Sequence, residues 1–394
     1  MRKRSIFLGL AAAIALSVAA AIVVGQESSP ARFPAAAAVE DSEHARSIEA
    51  MRPPKRARPV IAILALNEAT EVTDLLVPYG VLQRADVADV TVVAERAAPV
   101  PLHPFSALGR GTELLRIEPQ LTARAFDERY PDGADYVVVP AMEPRNNQFV
   151  MDWIVAQQRK GAKIFSVCAG SLTLAAAGLL DGRRATTHWA YIRDLQKAHP
   201  TMQWVQDRRY VADNGVTTST GISASIPVMV ALVEAIAGRP KAEQLAADLG
   251  VAHWDARHRT SAFELTMERQ RTFMRNWLSF WRHQTFGIPV SEGVDELALG
   301  LTVDAYSRTA LSTAVTVGSG EAVRSRYGLM IRPPPSTKAV TVDHMLPPPR
   351  PDAPAQAIER ELAHIAARFD RPTADIVALV MEYPWSAETA PTTR

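Results

Sequence analysis

The sequence predicts an α/β fold built on a doubly wound parallel sheet with helices on both faces. Short apolar runs rich in β-branched residues indicate strands buried on both faces, and they cover 60–66, 90–93, 136–139 and 163–167. Segments with helical spacing lie between them, around 71–85, 146–160 and 169–180. Strands that alternate with helices are joined by right-handed crossovers and therefore run parallel. Because such sheets bind ligands at the carboxyl ends of their strands, the residues after each run are the first candidates for a site.

The composition narrows the classes of partner. The chain has 394 residues, with 43 Lys and Arg against 42 Asp and Glu, and its formal net charge is +1. This balance lacks the basic excess that neutralises a phosphate backbone, which argues against nucleic acid as a partner. The single cysteine, Cys168, excludes an internal disulfide, a cysteine-based zinc site and an iron–sulfur cluster. We therefore expect no metal and no cofactor, and any chemistry at this sulfur is that of a lone thiol.

The first residues have the layout of an export signal. A basic cluster over 2–4 precedes an uncharged apolar run over 5–24. The run is close to the roughly 20 residues that cross a bilayer as a helix, so residues 1–25 are either a removed signal peptide or an N-terminal membrane anchor. In both cases the positive-inside rule leaves the N-terminus in the cytoplasm and the body of the protein outside, periplasmic or extracellular. Residues 26–58, rich in Ala, Pro and charge, are predicted to be a linker without folded elements.

The most informative strand end is Ser166-Val167-Cys168-Ala169-Gly170-Ser171, where a strand runs directly into a helix. Cys168 falls on the tight turn, and its small neighbours leave room for the backbone. The amino end of the helix places unpaired N–H groups and a partial positive charge near the sulfur, which favours the thiolate and lowers the thiol pKa. The same amides are suited to bind an oxyanion. A lone cysteine is most often an inert buried residue, but this setting predicts a nucleophile.

These residues resemble a known family. The turn around Cys168 and the segment 177–189, which ends in Thr187-His188-Trp189, are similar to the nucleophile elbow and following strand of the ThiJ/PfpI superfamily, relatives of class I glutamine amidotransferases. The resemblance is strongest to the amidotransferase-like domains of AraC-type regulators and to isocyanide hydratase, and it continues over 214–224. It covers about residues 59–270. It implies a flavodoxin-like α/β sandwich, with its core domain over 59–238, that is usually dimeric and acts on a small molecule.

The resemblance also implies proton carriers for the thiol. The superfamily has an acid beside its cysteine in the segment after the first strand, where this chain has Asp74, with Glu68 and Glu71 as rivals. A protonated carboxyl group can donate to a thiolate, and burial beside a like charge raises its pKa. Family members often place a histidine near the cysteine, which here is His188 at the end of a predicted strand over 184–188. As a base it would take the thiol proton. The alternatives are an ordinary first-turn Asp74 and a His188 that merely closes a strand.

The chain departs from the family pattern where the substrate would be held. Many relatives have paired glycines after the strand before the elbow, but this chain has Pro140-Ala141-Met142-Glu143. Because Ala does not adopt positive φ as freely as Gly, the Ala141 amide that should complete an oxyanion hole could point elsewhere. Ala169 stands where isocyanide hydratases usually have Thr. The predicted substrate-binding residues are Ala141, Ala169 and Gly170.

Two functions remain open at this point. The first is a cysteine-dependent hydrolase or lyase acting on a small carbonyl, amide or nitrile-like compound, with Cys168, His188 and Asp74 as catalytic residues. The second is a ligand-sensing or regulatory module that keeps the fold without turnover. A small-molecule ligand is expected in both cases, and a homodimer is compatible with both.

The rest of the chain has three parts. Residues 239–286 have helical spacing and an aromatic stripe (Phe273, Trp277, Phe280, Trp281) that is typical of a core or an interface. Residues 287–350 resemble the order of the first half and are predicted to be a partial second copy of it, without a second cysteine. Residues 351–394 form a C-terminal helical segment that invites comparison with a helix-turn-helix. The near-neutral charge, the predicted export and the short length all oppose DNA binding.

Overall fold

The computed structural model describes residues 36–106, 109–318, 322–335 and 341–385. Within these residues, no helix has both the length and the apolar character needed to cross a bilayer. The predicted signal peptide or anchor over 1–25 lies outside the described residues.

The described strands, in chain order, are β1 (Val60–Ala65), β2 (Thr70–Glu71), β3 (Asp89–Ala94), β4 (Val100–His103), β5 (Phe105–Ser106), β6 (Gly109–Arg110), β7 (Leu115–Ile117), β8 (Leu121–Thr122), β9 (Tyr136–Val139), β10 (Lys163–Ser166), β11 (Arg184–Ala185), β12 (Gln203–Trp204), β13 (Tyr210–Asp213), β14 (Val216–Ser219), β15 (Gln284–Pro289), β16 (Ser312–Val317), β17 (Val323–Arg324), β18 (Met330–Arg332) and β19 (His344–Met345). The described helices are α1 (Asp41–Met51), α2 (Val72–Ala85), α3 (Ala123–Arg129), α4 (Gln148–Arg159), α5 (Gly170–Ala176), α6 (Ile192–Ala198), α7 (Ser225–Ala237), α8 (Arg239–Leu249), α9 (Met267–Leu278), α10 (Glu296–Ser307), α11 (Ala357–Arg368) and α12 (Arg371–Val380).

The largest sheet in the described part of the chain confirms the predicted α/β fold. Its seven strands have the order β13-β14-β10-β9-β1-β3-β8. All neighbours pair in parallel except β13 and β14. The four predicted strands are β1, β3, β9 and β10, and apolar residues cover both faces because each face carries its own core cluster. This is the flavodoxin-like strand order, with the candidate thiol following a central strand.

The prediction of a linker without folded elements over 26–58 is wrong for residues 41–51, which form helix α1. Helix α1 caps its own start poorly and has no broad apolar stripe, which is why the composition suggested a tether. It is held by tertiary contacts instead. Met51 is fully buried, and Glu43 accepts from Arg208 through both carboxylate oxygens, at 2.5 and 2.8 Å.

A second strand–helix–strand unit follows the first domain. Strands β15 and β16 pair in parallel, with β19 on the other side of β15, and α10 connects β15 to β16. This order repeats β1, α2 and β3. Helix α10 packs against α2, with Leu297 against Gly80 and Leu76 against Gly300. Strand β18 pairs with β7 in a mixed sheet of order β17-β18-β7-β4-β2, so the two halves share that sheet.

The aromatic stripe is only partly buried in the described chain. Phe273 lines the cavity described below, whereas Trp277, Phe280 and Trp281 are 53%, 74% and 71% exposed. These three are not core residues, and the alternative of an interface stays a prediction. Helical spacing predicts that these side chains share one face of a helix, but it does not predict what covers that face, which is why the prediction of a core failed.

Candidate active site

Cys168 lies on a strained turn between β10 and α5. Its φ is +54°, a left-handed value that costs a residue with a side chain about 1 kcal/mol or more. The turn is held because the Cys168 amide donates to the Thr220 carbonyl at 3.1 Å and Ser171 Oγ donates to the Cys168 carbonyl at 3.1 Å. Gly170 is required at the next step, since a Cβ there would overlap the carbonyl oxygen of Val139. The predicted elbow is therefore present.

Cys168 borders a cavity of about 160 Å³ at the carboxyl ends of β9, β10 and β14. The apolar part of the wall is formed by Phe105, Ala141, Ala169, Ala190, Ile222, Leu265, Phe273, Ile376, Leu379 and Val380. Besides Cys168, the lining side chains that carry polar groups are Glu71, His188, Trp189, Tyr191, Gln270 and Arg308. A cavity of this size and character suits a molecule about as large as benzene.

Asp74, the acid that the resemblance implied beside the cysteine, is fully buried at the start of α2 and is not among the residues that line the cavity. Its Oδ2 accepts from the Ala141 amide at 3.0 Å, and its Oδ1 has no hydrogen-bond partner among the described residues. Burial and the neighbouring Glu71 carboxylate raise the pKa of Asp74 well above its ordinary value. Because Ala141 N–H keeps Oδ2 as an acceptor, a proton on this carboxyl group resides on Oδ1. The Ala141 amide thus points at Asp74 and is not available to an oxyanion.

The two rival acids have different positions. Glu71 is buried and caps α2, since its Oε2 accepts from the Asp74 amide at 2.6 Å and from Thr73 Oγ1 at 2.7 Å. Burial and the Asp304 carboxylate raise the pKa of Glu71 to about 7. Glu68 does not line the cavity and pairs with the exposed Arg96 at 2.7 Å. Glu71 therefore belongs to the site, because it lines the cavity and accepts from the Asp74 amide, and Glu68 does not.

His188 borders the cavity, but the structure does not support its predicted role as a base. The strand that was expected to end at His188 ends at Ala185, and His188 instead caps a short 3₁₀ turn that begins at Trp189. Its Nδ1 accepts from the Ala190 amide at 3.2 Å, so Nε2 carries the proton and donates to the Val380 carbonyl at 2.9 Å. Burial lowers the pKa of His188 to about 4. The ring is neutral, with both nitrogens engaged.

The electrostatics of the thiol differ from the prediction. Burial raises the pKa of Cys168 well above its ordinary value, and the carboxylates of Asp74, Glu71 and Glu382 add to the increase. Only Arg308 lowers it among the main charges. The amino end of α5 was expected to stabilise a thiolate. Because α5 is a short helix, and because burial and three acids oppose a negative charge on the sulfur, the neutral thiol is the resting form.

The predicted substrate-binding residues divide into two groups. Ala169 lines the cavity, and its amide takes no acceptor in the described part of the chain. Gly170 does not line the cavity. Its amide donates to the Val167 carbonyl at 2.8 Å, so this residue shapes the turn. Ala169 N–H is the backbone donor left for a developing negative charge. Among the described residues, no three His, Cys, Asp or Glu side chains are grouped to bind a metal.

Comparison with known proteins agrees with this geometry. Residues 60–235 match the model of the DJ-1/PfpI family. Isonitrile hydratase from Pseudomonas putida is 35% identical over 173 residues, which are 42% of this chain and 67% of that protein. The chain belongs to the DJ-1/PfpI family.

Two further proteins are similar to this chain over part of its length. The HTH-type transcriptional regulator CdhR from Pseudomonas aeruginosa is 36% identical over 110 residues, covering 27% of this chain and 32% of the regulator. The crystal structure of a ThiJ/PfpI family protein from Pseudomonas syringae is 25% identical with a TM-score of 0.40, covering 48% of this chain and 73% of that one.

Arg308 reaches the DJ-1/PfpI site from outside the family match. It follows α10 and is 3% exposed at its side chain. Its Nη2 donates to Glu71 Oε1 at 2.7 Å, its Nε donates to Asp304 Oδ2 at 2.8 Å, and its Nη1 donates to the Phe105 carbonyl. The sequence analysis did not identify Arg308, because the residues around it form no recognisable motif. The available signal was the partial repeat, in which α10 corresponds to α2 of the first half.

The C-terminal segment supplies the other wall from outside the family match. Ile376, Leu379 and Val380 of α12 line the cavity. Beyond the helix, the buried Glu382 carboxylate accepts from the Trp189 amide at 2.9 Å and from the Gly221 amide. Burial raises the pKa of Glu382 to about 7. Sequence reasoning predicted the helices here but gave no sign that they close the pocket.

Proposed function

We propose that the chain binds a small uncharged molecule beside Cys168 and that the sulfur attacks an electrophilic carbon of this molecule, in a hydration or hydrolysis. The observation that carries the proposal is the strained turn at Cys168, which holds the family's thiol against an apolar cavity of about 160 Å³. A strained backbone that persists in a folded protein is typical of functional sites.

The polar groups of the cavity favour an uncharged ligand. The three guanidinium nitrogens of Arg308 donate to Glu71, Asp304 and Phe105, and both nitrogens of His188 are engaged. A charged ligand would enter without a counterion, which is costly in a buried apolar space. The fitting compounds are small isonitriles, nitriles, amides and carbonyls. The similarity to a relative named isonitrile hydratase supports testing isonitriles first.

The chemistry requires the thiol proton to move as the sulfur attacks, because the buried site does not favour a resting thiolate. Sulfur forms a bond to the electrophilic carbon as Asp74 gives its Oδ1 proton to the ligand atom that gains the electron pair, and the thiol proton then replaces it on Oδ1. The Ala169 amide stabilises the charge that develops there. With an isonitrile or a nitrile, water then attacks the same carbon, the carbon–sulfur bond breaks and the thiol recovers its proton, so that the net reaction adds one water. With an amide, the carbon–nitrogen bond breaks first and the amine leaves with the transferred proton; water then attacks the thioester, the thiol is released, and the net reaction is hydrolysis.

The test is turnover of the full chain with a series of small isonitriles, nitriles and amides. We expect product formation by the wild type and a covalent adduct on Cys168 under single-turnover conditions, detected by mass spectrometry. Cys168→Ser should abolish turnover and keep ligand affinity. Binding of these compounds without turnover or adduct would refute the catalytic proposal.

Ligand binding without turnover is a second candidate, and the raised pKa of the Cys168 thiol favours it. Under this function the cavity and its apolar walls still select a small ligand. The iodoacetamide alkylation rate, measured against pH, separates the candidates when combined with turnover. A thiol that remains unreactive to the alkaline limit of the fold, together with ligand binding without turnover, supports the sensor.

DNA binding is not part of the proposal. The name of the regulator relative refers to a helix-turn-helix protein, but the match covers 32% of it. In this chain, the second helix of the C-terminal pair, α12, is buried from Thr373 to Leu379. A helix covered along its length presents no face to a DNA groove.

A further inference from the structure

Helices α2 and α10 are joined by two matching ion pairs. Glu71 caps α2 and pairs with Arg308 at the end of α10, at 2.7 Å. Asp295 caps α10 and pairs with Arg84 in the last turn of α2, at 2.5 Å. The arginine lies 13 residues after the capping acid in both helices (84 − 71 = 13 and 308 − 295 = 13). The two pairs are therefore equivalent under an approximate twofold rotation.

Contacts between the pairs follow the same rotation. A Cβ on Gly300 of α10 would lie 3.2 Å from the Cβ of Leu76 on α2, so the helices meet closely at this point. Beside them, β7 and β18 pair antiparallel, with Ile117 opposite Ile331. The second half thus packs on the first as one subunit packs on another. The outer face of α2 is covered within the chain, and a second copy has no access to it.

The chemistry of the two pairs is not equivalent. The Arg84 pair lies away from the thiol, with the guanidinium 5.7 Å from the centre of the Tyr327 ring. Arg308 lines the cavity together with Cys168 and Glu71. Of the two equivalent arginines, only Arg308 can act on the sulfur.

We propose that Arg308 is a positioning residue of the Cys168 site, supplied by the second half of the chain: it fixes Glu71 and stabilises negative charge on the sulfur. Its contacts show how. Glu71 is oriented by Arg308 at one oxygen and holds the Asp74 amide with the other, so the guanidinium sets the position of the acid beside the thiol. Asp304 keeps the guanidinium in place at 2.8 Å.

Arg308 is the cation that offsets the acidic groups facing the sulfur. The carboxyl groups of Asp74 and Glu71 on α2, and of Glu382 after α12, all oppose a thiolate. The phenol of Tyr191, whose pKa burial raises, and the ring of His188 are neutral. Among the described charges that act most on the sulfur, Arg308 is the cation, so its removal leaves the three carboxyl groups without compensation.

The test compares Arg308→Gln with its mirror control Arg84→Gln in the full chain. Each variant breaks one buried ion pair between α2 and α10, so both destabilise the same interface. The alkylation rate of Cys168 by iodoacetamide is measured against pH, and the chain's single cysteine makes the mass change specific. We expect Arg308→Gln to shift the apparent thiol pKa upward by about one unit, which lowers the rate near neutral pH about tenfold. Arg84→Gln should leave the profile unchanged.

Two further variants keep the test decisive. If Arg308→Gln does not fold, the double variant Asp304→Asn with Arg308→Gln removes the arginine together with one of its acids and should show the same upward shift. Arg308→Lys keeps the charge and should restore most of the rate. An unchanged profile in Arg308→Gln or in the double variant, or an equal shift in Arg84→Gln, overturns the inference. A role of Arg308 in turnover rests on the proposed function, whereas the alkylation profile does not depend on it. A shifted profile without any turnover would refute only the proposed function.

Discussion

The Nε2 atom of His188 donates to the carbonyl oxygen of Val380 at 2.9 Å, so the ring beside the thiol is bonded to the end of α12. Trp189 Nε1 makes a second such bond, to the Leu379 carbonyl at 3.0 Å. These bonds fix the C-terminal helix as a wall of the cavity. The size of the ligand is therefore set partly by residues outside the family match.

Val380→Ala should widen the cavity while leaving the carbonyl that His188 uses. The loss of two partly buried methyl groups costs on the order of 2 kcal/mol or less of folding free energy. We expect bulky neutral alkylating reagents, such as N-benzylmaleimide, to react with Cys168 faster relative to N-methylmaleimide than in the wild type. The measurement is the ratio of the two second-order rate constants.

Val377→Ala is the matched control for this change. Val377 lies on the same helix and is fully buried in the core, but it does not line the cavity. It should lower stability without changing the ratio of the rate constants. Equal ratios in both variants would show that α12 does not limit the ligand.

Glu382 predicts an unusual pH dependence of stability. Burial raises the pKa of its carboxyl group from 4.5 to about 7, so the folded state binds this proton more tightly than the unfolded state. The contribution to the free energy of unfolding is full below pH 4.5 and is lost as the pH rises through about 7. Each unit of such a shift is worth about 1.4 kcal/mol. The free energy of unfolding from urea titrations should therefore decrease between pH 6 and pH 8.

Glu382→Gln should make this decrease shallower, since glutamine does not titrate. Glu243, an exposed partner of Arg239, offers the control: Glu243→Gln should leave the slope unchanged. The same slope in wild type and Glu382→Gln would assign the pH dependence to another group, of which Glu71 is the first candidate.

The sequence was sufficient for the sheet and the elbow because both depend on local patterns. Strands buried on two faces need continuous apolar runs, which is why the runs around Ile63 and Val138 identify β1 and β9. The turn at Cys168 needs a residue without a side chain at Gly170, and that requirement is visible in the motif.

The remaining parts of the site depend on contacts between distant segments, which leave no local pattern. The role of His188 changes because Val380, far along the chain, accepts its proton. Arg308 reaches the cavity only because α10 packs on α2. The pKa of the Cys168 thiol is raised by burial and by three acids that converge in space, and one of these acids, Glu382, lies beyond every motif.

Gly170→Ala should prevent correct folding of the elbow. A Cβ at this position would overlap the Val139 carbonyl oxygen and approach the Pro140 carbonyl at 3.0 Å, and backbone atoms of a central strand cannot move aside. We expect a loss of roughly 3 kcal/mol or more, measured by urea unfolding. Gly182→Ala is the control. Its Cβ would meet no atom within 4 Å, so only its φ of +70° opposes the change, at about 1 kcal/mol. Similar losses in the two variants would contradict the packing argument.

Asp74→Asn tests the proton carrier separately from the thiol. Asparagine keeps a carbonyl oxygen for the Ala141 amide, so the fold and the ligand affinity should change little, but it cannot pass a proton through Oδ1. We expect turnover to fall by about 100-fold or more, which is the usual contribution of a general acid or base. Alkylation of Cys168 should be unchanged or faster, because a carboxyl group that opposes the thiolate is gone. Glu68→Gln, outside the cavity, should change neither rate. Turnover and alkylation that decrease together in Asp74→Asn would show that Asp74 only supports the structure of the thiol site.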